Sequence, residues 1–198
     1  YAGLFPPASL PLEDVVARYA TYARSAAGWT LGRLVLPIQQ CDALEAAVAA
    51  LPDEAFARPW TLAVLGSGSV EDDRQTLTDF AVRQHRTGGR LRVESIELRV
   101  ASALEVRRAR VLAADGWIVY CEAPAVSEGV LDAIAICGLR AKVRAGGVTP
   151  EQIPPADYLA RMLAGCVQRG ISLKATAGLH HAVTGEYPLT YAPESARA

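Results

Sequence analysis

The chain has 198 residues, enough for one sizeable domain with its own core, and 51% of them are hydrophobic, which excludes a disordered chain. Its formal net charge of −1 excludes broad electrostatic attraction to nucleic acid or to acidic membranes. Charges interrupt the apolar runs before they reach membrane-spanning length. The cysteines Cys41, Cys121, Cys137 and Cys166 form no CxxC pair and sit in apolar surroundings. They are expected to be buried free thiols in a reducing compartment, and the expected location is the cytoplasm.

The chain opens on a loop-like segment, YAGLFPPASLP, after which Val15, Val16, Tyr19 and Ala23 recur at helical spacing. A short apolar strand is predicted in LGRLVLP. The next helix is predicted to start at Asp42, with Glu45 in capping-box spacing and Leu44, Ala47, Val48 and Leu51 on one face. TLAVLG reads as a strand, GSGS as the connection after it, and about 70–86 as a helix. RLRVESIEL is the next strand, and the helix after it has Ser102 and Glu105 in capping-box register and Gly116 past its end. WIVYCEAP follows as a strand, then a helix whose apolar face includes Val130, Ile134 and Cys137 and which ends at Gly138. LRAKVRAGG is the next strand. Pro154 and Pro155 suit a helix entry, and Tyr158, Leu159, Met162, Leu163 and Cys166 repeat along the helix that Gly170 ends. ISLKATAG is the last strand, and the chain closes on the loop-like TGEYPLTYAPESARA.

Strands that alternate with helices imply a parallel sheet, because parallel neighbours need a crossover connection. The expected fold is α/β, with repeating βα units and a TIM-barrel-like parallel sheet. The reason lies in the last two strands. Arg140, Lys142 and Arg144 alternate with Leu139, Ala141 and Val143, and Ser172, Lys174 and Thr176 alternate with Ile171, Leu173 and Ala175. The central strand of an open sheet, covered on both faces, reads as nearly continuous hydrophobic. A barrel strand instead packs helices outside and presents polar groups inward near its carboxyl end. A closed TIM barrel has more than the six strands read here. The expectation is therefore a single α/β domain over 1–198 that lacks a first strand and a final strand–helix segment. An open doubly wound sheet is the alternative.

Parallel strands deliver functional groups at their C-terminal ends. Lys174 is the foremost candidate there, because a lysine on an apolar inward face can serve as a base or form a Schiff base with a carbonyl. Arg140, Lys142 and Arg144 can supply a neighbouring cation. Equally, Lys174 can pair with a carboxylate such as Glu122 and hold strands in register. Arg144 precedes Gly146 and Gly147; the glycines let backbone N–H groups approach an anion, and the arginine adds a bidentate fork. A tight turn without ligand is the other reading of that pair. Residues Gly66 to Ser69 are either a phosphate cradle or a turn ending in a Ser69 cap, and they match neither the P-loop nor the full dinucleotide fingerprint.

Glu122 shares a strand face with Tyr120 and Ile118, and can act as general acid or base, or as counter-ion to Lys142 or Lys174. Glu94 and Glu97 are oddly spaced, so at most one points inward, and structural pairing is expected of each. His180 and His181 follow the last strand. One of them can shuttle protons or join Glu122 on a metal. The pair lacks the spacing of a helical zinc motif, so no metal is assigned. His85, late in a polar helix, reads as a solvated residue at the helix dipole.

The stretches YAGLFPPASL, AKVRAGG and KATAGLHH together resemble a family of uncharacterised bacterial proteins, over nearly all of the chain. Members of that family continue past the LHH segment, which implies a further segment here. LKATAG is also similar to the Schiff-base strand of deoxyribose-phosphate aldolase. That similarity implies the Schiff-base role for Lys174, with Lys142 on the preceding strand as a helper, whereas the aldolase has its second lysine on a later strand.

The resulting expectation is an enzyme of aldolase, lyase or isomerase type that acts on a small anionic carbonyl compound. Lys174, Glu122, Lys142, His180 and His181 would carry the chemistry, and Arg140, Arg144, Gly146 and Gly147 would bind the substrate. No cofactor, nucleic acid or membrane partner is expected, and a homo-oligomer is compatible with the reading. A non-catalytic anion-binding or scaffold barrel and a metal-dependent hydrolase or lyase are the alternatives.

Overall fold

The structure is a computed structural model that describes residues 3–5, 8–56, 58–178, 183, 185–190, 192 and 194–197. The chain divides into two compact units, Tyr1–Glu97 and Leu98–Ala198.

The first unit contains α1 (Leu12–Ala23), β1 (Leu34–Pro37), α2 (Cys41–Ala49), β2 (Trp60–Leu65), α3 (Val70–Arg86) and most of β3 (Leu91–Arg99). Val15, Val16, Tyr19 and Ala20 form the buried stripe of α1. The expected Ala23 is exposed instead, because the stripe is centred one turn earlier on the helix. The start of α2 also departs from the expectation. Gln40 occupies the cap without a side-chain bond, and Asp42 lies in the first turn. Asp42 and Glu45 serve a different purpose: both accept from the Arg83 guanidinium of α3, at 2.9 Å for Glu45. A charged partner outcompetes a backbone N–H for these carboxylates. Leu44 and Val48 are buried beneath them.

Alternation sorts the strand residues of this unit into two faces. Leu34 pairs with Leu62, and Leu36 with Val64, which in turn pairs with Ile96; all five are fully buried. The other face carries Val35, Ala63 and Ser95 in register. Between Val93 and Ser95 the β2–β3 register shifts by one residue, and Glu94 is the residue that bulges out. Arg33 and Arg92 hold its carboxylate. Glu97, beyond the bulge, is buried.

The GSGS connection is a turn closed by the chain itself. The Ser69 hydroxyl accepts from the Asp72 N–H at 3.3 Å, and the buried Asp73 carboxylate accepts from the Ser67 N–H at 2.9 and 3.1 Å. An anion of the chain's own thus occupies the start of α3. His85 is exposed in the last turn of α3, beside Arg83 and Arg86, where cations suit the helix dipole.

The second unit contains α4 (Ala103–Ala114), β4 (Ile118–Glu122), α5 (Glu128–Ile136), β5 (Arg140–Arg144), α6 (Ala156–Gln168) and β6 (Leu173–Thr176). Ser102 caps α4 by accepting from the Glu105 N–H at 3.3 Å, while the Glu105 carboxylate reaches back to the Ala101 N–H at 2.7 Å. Val130, Leu131, Ala133 and Ile134 bury α5, which terminates at Gly138 with φ +67°. The prolines 154 and 155 precede α6, as their fixed φ favours, and Met162, Gly165 and Cys166 face inward. Leu163, expected in that stripe, is 56% exposed, since the close approach of Gly165 to Leu131 rotates the buried face away from it. Arg169 ties the end of α6 to Glu128 and Asp132 of α5.

The strand order is β1-β2-β3-β4-β5-β6, and β1–β2, β2–β3, β4–β5 and β5–β6 are parallel pairs. Neighbours in the chain are neighbours in the sheet, with a helix in each crossover. That is the singly wound order of a TIM-barrel-like fold. A doubly wound sheet reverses its order at a switch point, and none occurs among the described strands. Among the described residues, no helix is long and apolar enough to cross a membrane.

Candidate active site

In the second unit the register of β4, β5 and β6 assembles the candidate residues. Glu122, the last residue of β4, pairs with Lys142, and Lys142 pairs with Lys174. Register partners in a parallel sheet share a face, so one cross-strand row reads carboxylate, ammonium, ammonium. Flanking rows on the same face are Tyr120 with Arg140, and Arg144 with Thr176. The opposite face pairs Cys121 with Ala141 and Val143 with Ala175; Cys121, Ala141 and Val143 are buried. The alternation expected from LRAKVR and ISLKATA is present in both strands.

Lys142 Nζ lies 2.5 Å from Glu122 Oε2, and Arg99 Nε lies 3.8 Å from Glu122 Oε1. Lys142 and Glu122 are mostly buried, with side-chain exposures of 10% and 15%, whereas Arg99 is exposed at 82%. Lys174 is half-buried, and its Nζ stands 5.1 Å from the centroid of the Tyr120 ring. Arg140 donates to the Tyr120 hydroxyl at 3.2 Å, with its guanidinium carbon 5.7 Å from the same centroid. Tyr120 therefore receives one cation at its ring and another at its oxygen.

Tyr158, in the first turn of α6, donates its O–H to the Ala123 carbonyl at 2.7 Å. Burial raises its pKa, and the negative charge of Glu122 raises it further. The phenol thus stays protonated next to the carboxylate. Sequence reading placed Tyr158 only in an apolar stripe. Its position just after the proline pair, at a strand's C-terminal side, is the signal that could have brought it into the site. Arg99 was missed as well, although it ends β3 as Arg144 ends β5.

Arg144 is exposed and uses its Nε on the Gly146 carbonyl at 2.9 Å. A Cβ on Gly146 would stand 2.7 Å from the Gly178 Cα, so the loops after β5 and β6 touch backbone to backbone. Gly178 has φ +63°, and a Cβ there would meet the Ala145 carbonyl oxygen at 2.5 Å. A Cβ on Gly147 would overlap the Gln152 side chain, whose Oε1 accepts the Val148 N–H at 2.8 Å. Contacts within the chain thus account for both glycines. His180 and His181 lie outside the described residues.

Among the described residues, no group of three or more His, Cys, Asp or Glu side chains could hold a metal ion. The cysteines are free; Cys41, Cys121 and Cys166 are buried, and Cys137 is half-buried. Burial pushes the Cys41 and Cys121 thiols up to about 12, which keeps them protonated and unreactive. Comparison with protein-family models, with curated proteins and with solved structures finds no match to this chain.

Proposed function

We propose that the chain is an enzyme that acts on a small anionic carbonyl compound, in a reaction of the aldolase, lyase or isomerase type. The observation that carries this reading is the Glu122–Lys142–Lys174 row across three adjacent strands. It sets an amine beside a proton-exchanging ion pair, the combination that Schiff-base chemistry requires. The lone pair of the Lys174 Nζ attacks the carbonyl carbon, and the π pair moves to oxygen. Lys142 protonates that oxygen, a proton passes from the attached Lys174 nitrogen to the resulting hydroxyl, water leaves, and an iminium remains on Lys174. Glu122 then takes a proton from the substrate carbon and returns it later. Arg144, at the C-terminal end of β5, holds the anionic group alongside the Gly146–Gly147 loop, and Arg140, at the start of β5, orients Tyr120. His180 or His181, which follow β6 in the sequence, would complete the proton path. Buried free thiols fit a reducing compartment, so the cytoplasm is the proposed location.

Borohydride reduction in the presence of candidate aldehydes and 2-oxo acids, followed by peptide mass spectrometry, tests the proposal. A reduced adduct is expected on Lys174 and is expected to vanish in Lys174→Arg. If no carbonyl compound leaves an adduct on Lys174, the Schiff-base mechanism is excluded. Saturable anion binding without turnover would favour a non-catalytic barrel.

A further inference from the structure

In the first unit, the N-terminal ends of β1, β2 and β3 surround a cleft that the chemistry proposed above does not use. Its inner recess, about 150 Å³, has an aromatic wall formed by Tyr19 and Trp60. These rings meet edge to face, with centroids 4.7 Å apart and an interplanar angle of 61°. Both polar ends are tied to the backbone: the Tyr19 hydroxyl donates to the Gly32 carbonyl at 2.9 Å, and the Trp60 Nε1–H to the Ala55 carbonyl at 3.4 Å. The recess shares Leu31, Gly32, Arg58, Pro59 and Thr61 with a wider outer part of about 490 Å³.

The charge lining this cleft is mostly positive. Arg24 and Arg58 line the recess, and Arg33, Arg92 and Glu94 line the outer part. Glu94, the bulge residue, is already held on both oxygens, by Arg33 at one and Arg92 at the other. Arg58 is exposed, and its charge is felt at the buried Tyr19 hydroxyl, where it opposes the upward pull of burial on the pKa. A mostly apolar recess with a few convergent charged groups is the usual make-up of a small-molecule site.

We propose that this cleft binds a small organic anion, with a flat apolar body against Tyr19 and Trp60 and a carboxylate or phosphate group on Arg58. Arg58 stands where the recess meets the outer part, so it reaches a group on a body seated in either. The cleft lies at the strand ends that TIM-type folds ordinarily devote to stability rather than catalysis. Occupancy therefore adds a ligand without requiring the amine chemistry of the second unit.

The test uses the intact chain titrated with benzoate, phenyl phosphate and inorganic phosphate, read by tryptophan fluorescence and by calorimetry. Trp60 lies in the wall, and Trp29, 83% exposed, sits between the lining residues Gly28 and Leu31. At least one aromatic anion is expected to bind saturably and to change the emission. Arg58→Gln, at an exposed position, is expected to keep the circular dichroism of the parent and to weaken that binding at least about tenfold. Lys174→Ala is expected to leave it unchanged, so this proposal and the catalytic one fail separately. No saturable response up to millimolar anion overturns the cleft as a site, as does full binding by Arg58→Gln. Inorganic phosphate binding as tightly as phenyl phosphate overturns the role of the aromatic wall.

Discussion

Glu122 and Lys142 are direct register partners on β4 and β5, and their charged ends meet at 2.5 Å in a mostly buried setting. A pair formed between residues already opposite each other in a sheet gives up little freedom in forming. Its cost is desolvation, which the attraction offsets only while both members are present. Glu122→Gln is expected to lower stability by about 2–4 kcal/mol in urea unfolding. Joint replacement by Glu122→Leu and Lys142→Met is expected to recover much of that loss. Strictly additive effects in the double-mutant cycle would mean that the pair is not coupled.

The backbone contact between Gly146 and Gly178 gives a second expectation. Gly146→Ala forces a Cβ to 2.7 Å from a Cα, and Gly178→Ala adds a left-handed φ to a 2.5 Å clash with a carbonyl oxygen. Each is expected to cost about 2 kcal/mol or more. Gly138→Ala is the comparison, since φ is +67° there but nothing lies within 4 Å of the new Cβ. It is expected to cost only about 1–2 kcal/mol. Equal thermal shifts for Gly138→Ala and Gly178→Ala would show that backbone conformation alone matters and that loop contact does not.

Alkaline stability follows from the thiols. Cys41 and Cys121 are pushed from the ordinary 9.0 to about 12, so the folded chain holds protons that the unfolded chain releases. Their contribution is fully present below pH 9 and is lost as pH rises from 9 to about 12. Within that window each thiol removes about 1.4 kcal/mol per pH unit. The Cys41→Ala/Cys121→Ala variant is expected to have a lower plateau at neutral pH but a visibly shallower alkaline decline. Parallel declines for variant and parent would show that other groups govern alkaline unfolding.

The sequence revealed the faces of the strands but not their register. Alternation put Lys142 and Arg144 on one face of β5 and Lys174 on the corresponding face of β6. It left open which cation Glu122 would meet, because a two-residue slide of β4 along β5 exchanges Lys142 for Arg140 or Arg144 without turning any side chain over. Only the pairing of Tyr120 with Arg140 and of Glu122 with Lys142 decides it. The helices behaved similarly. Periodicity identified the stripes of α1 and α6, yet their centres depend on docking, so Ala20 rather than Ala23 is buried and Leu163 is exposed. Asp42 has the spacing of a cap, but the guanidinium that claims it comes from a helix 41 residues away in the chain. Tyr158 reads as apolar because its ring is, and its role rests on where a single oxygen ends up.

The strand order has a bearing on how such a chain is made. In a sheet whose spatial order follows the chain, each strand emerging from the ribosome finds its partner already synthesised one βα unit before. Pairing then needs only short loops to close, and no strand has to wait for a distant one. The growing edge is exposed throughout synthesis, with unpaired N–H and C=O groups that other growing chains could capture. The short β6 and the charged ends of β4 and β5 limit how readily that edge would template such a contact.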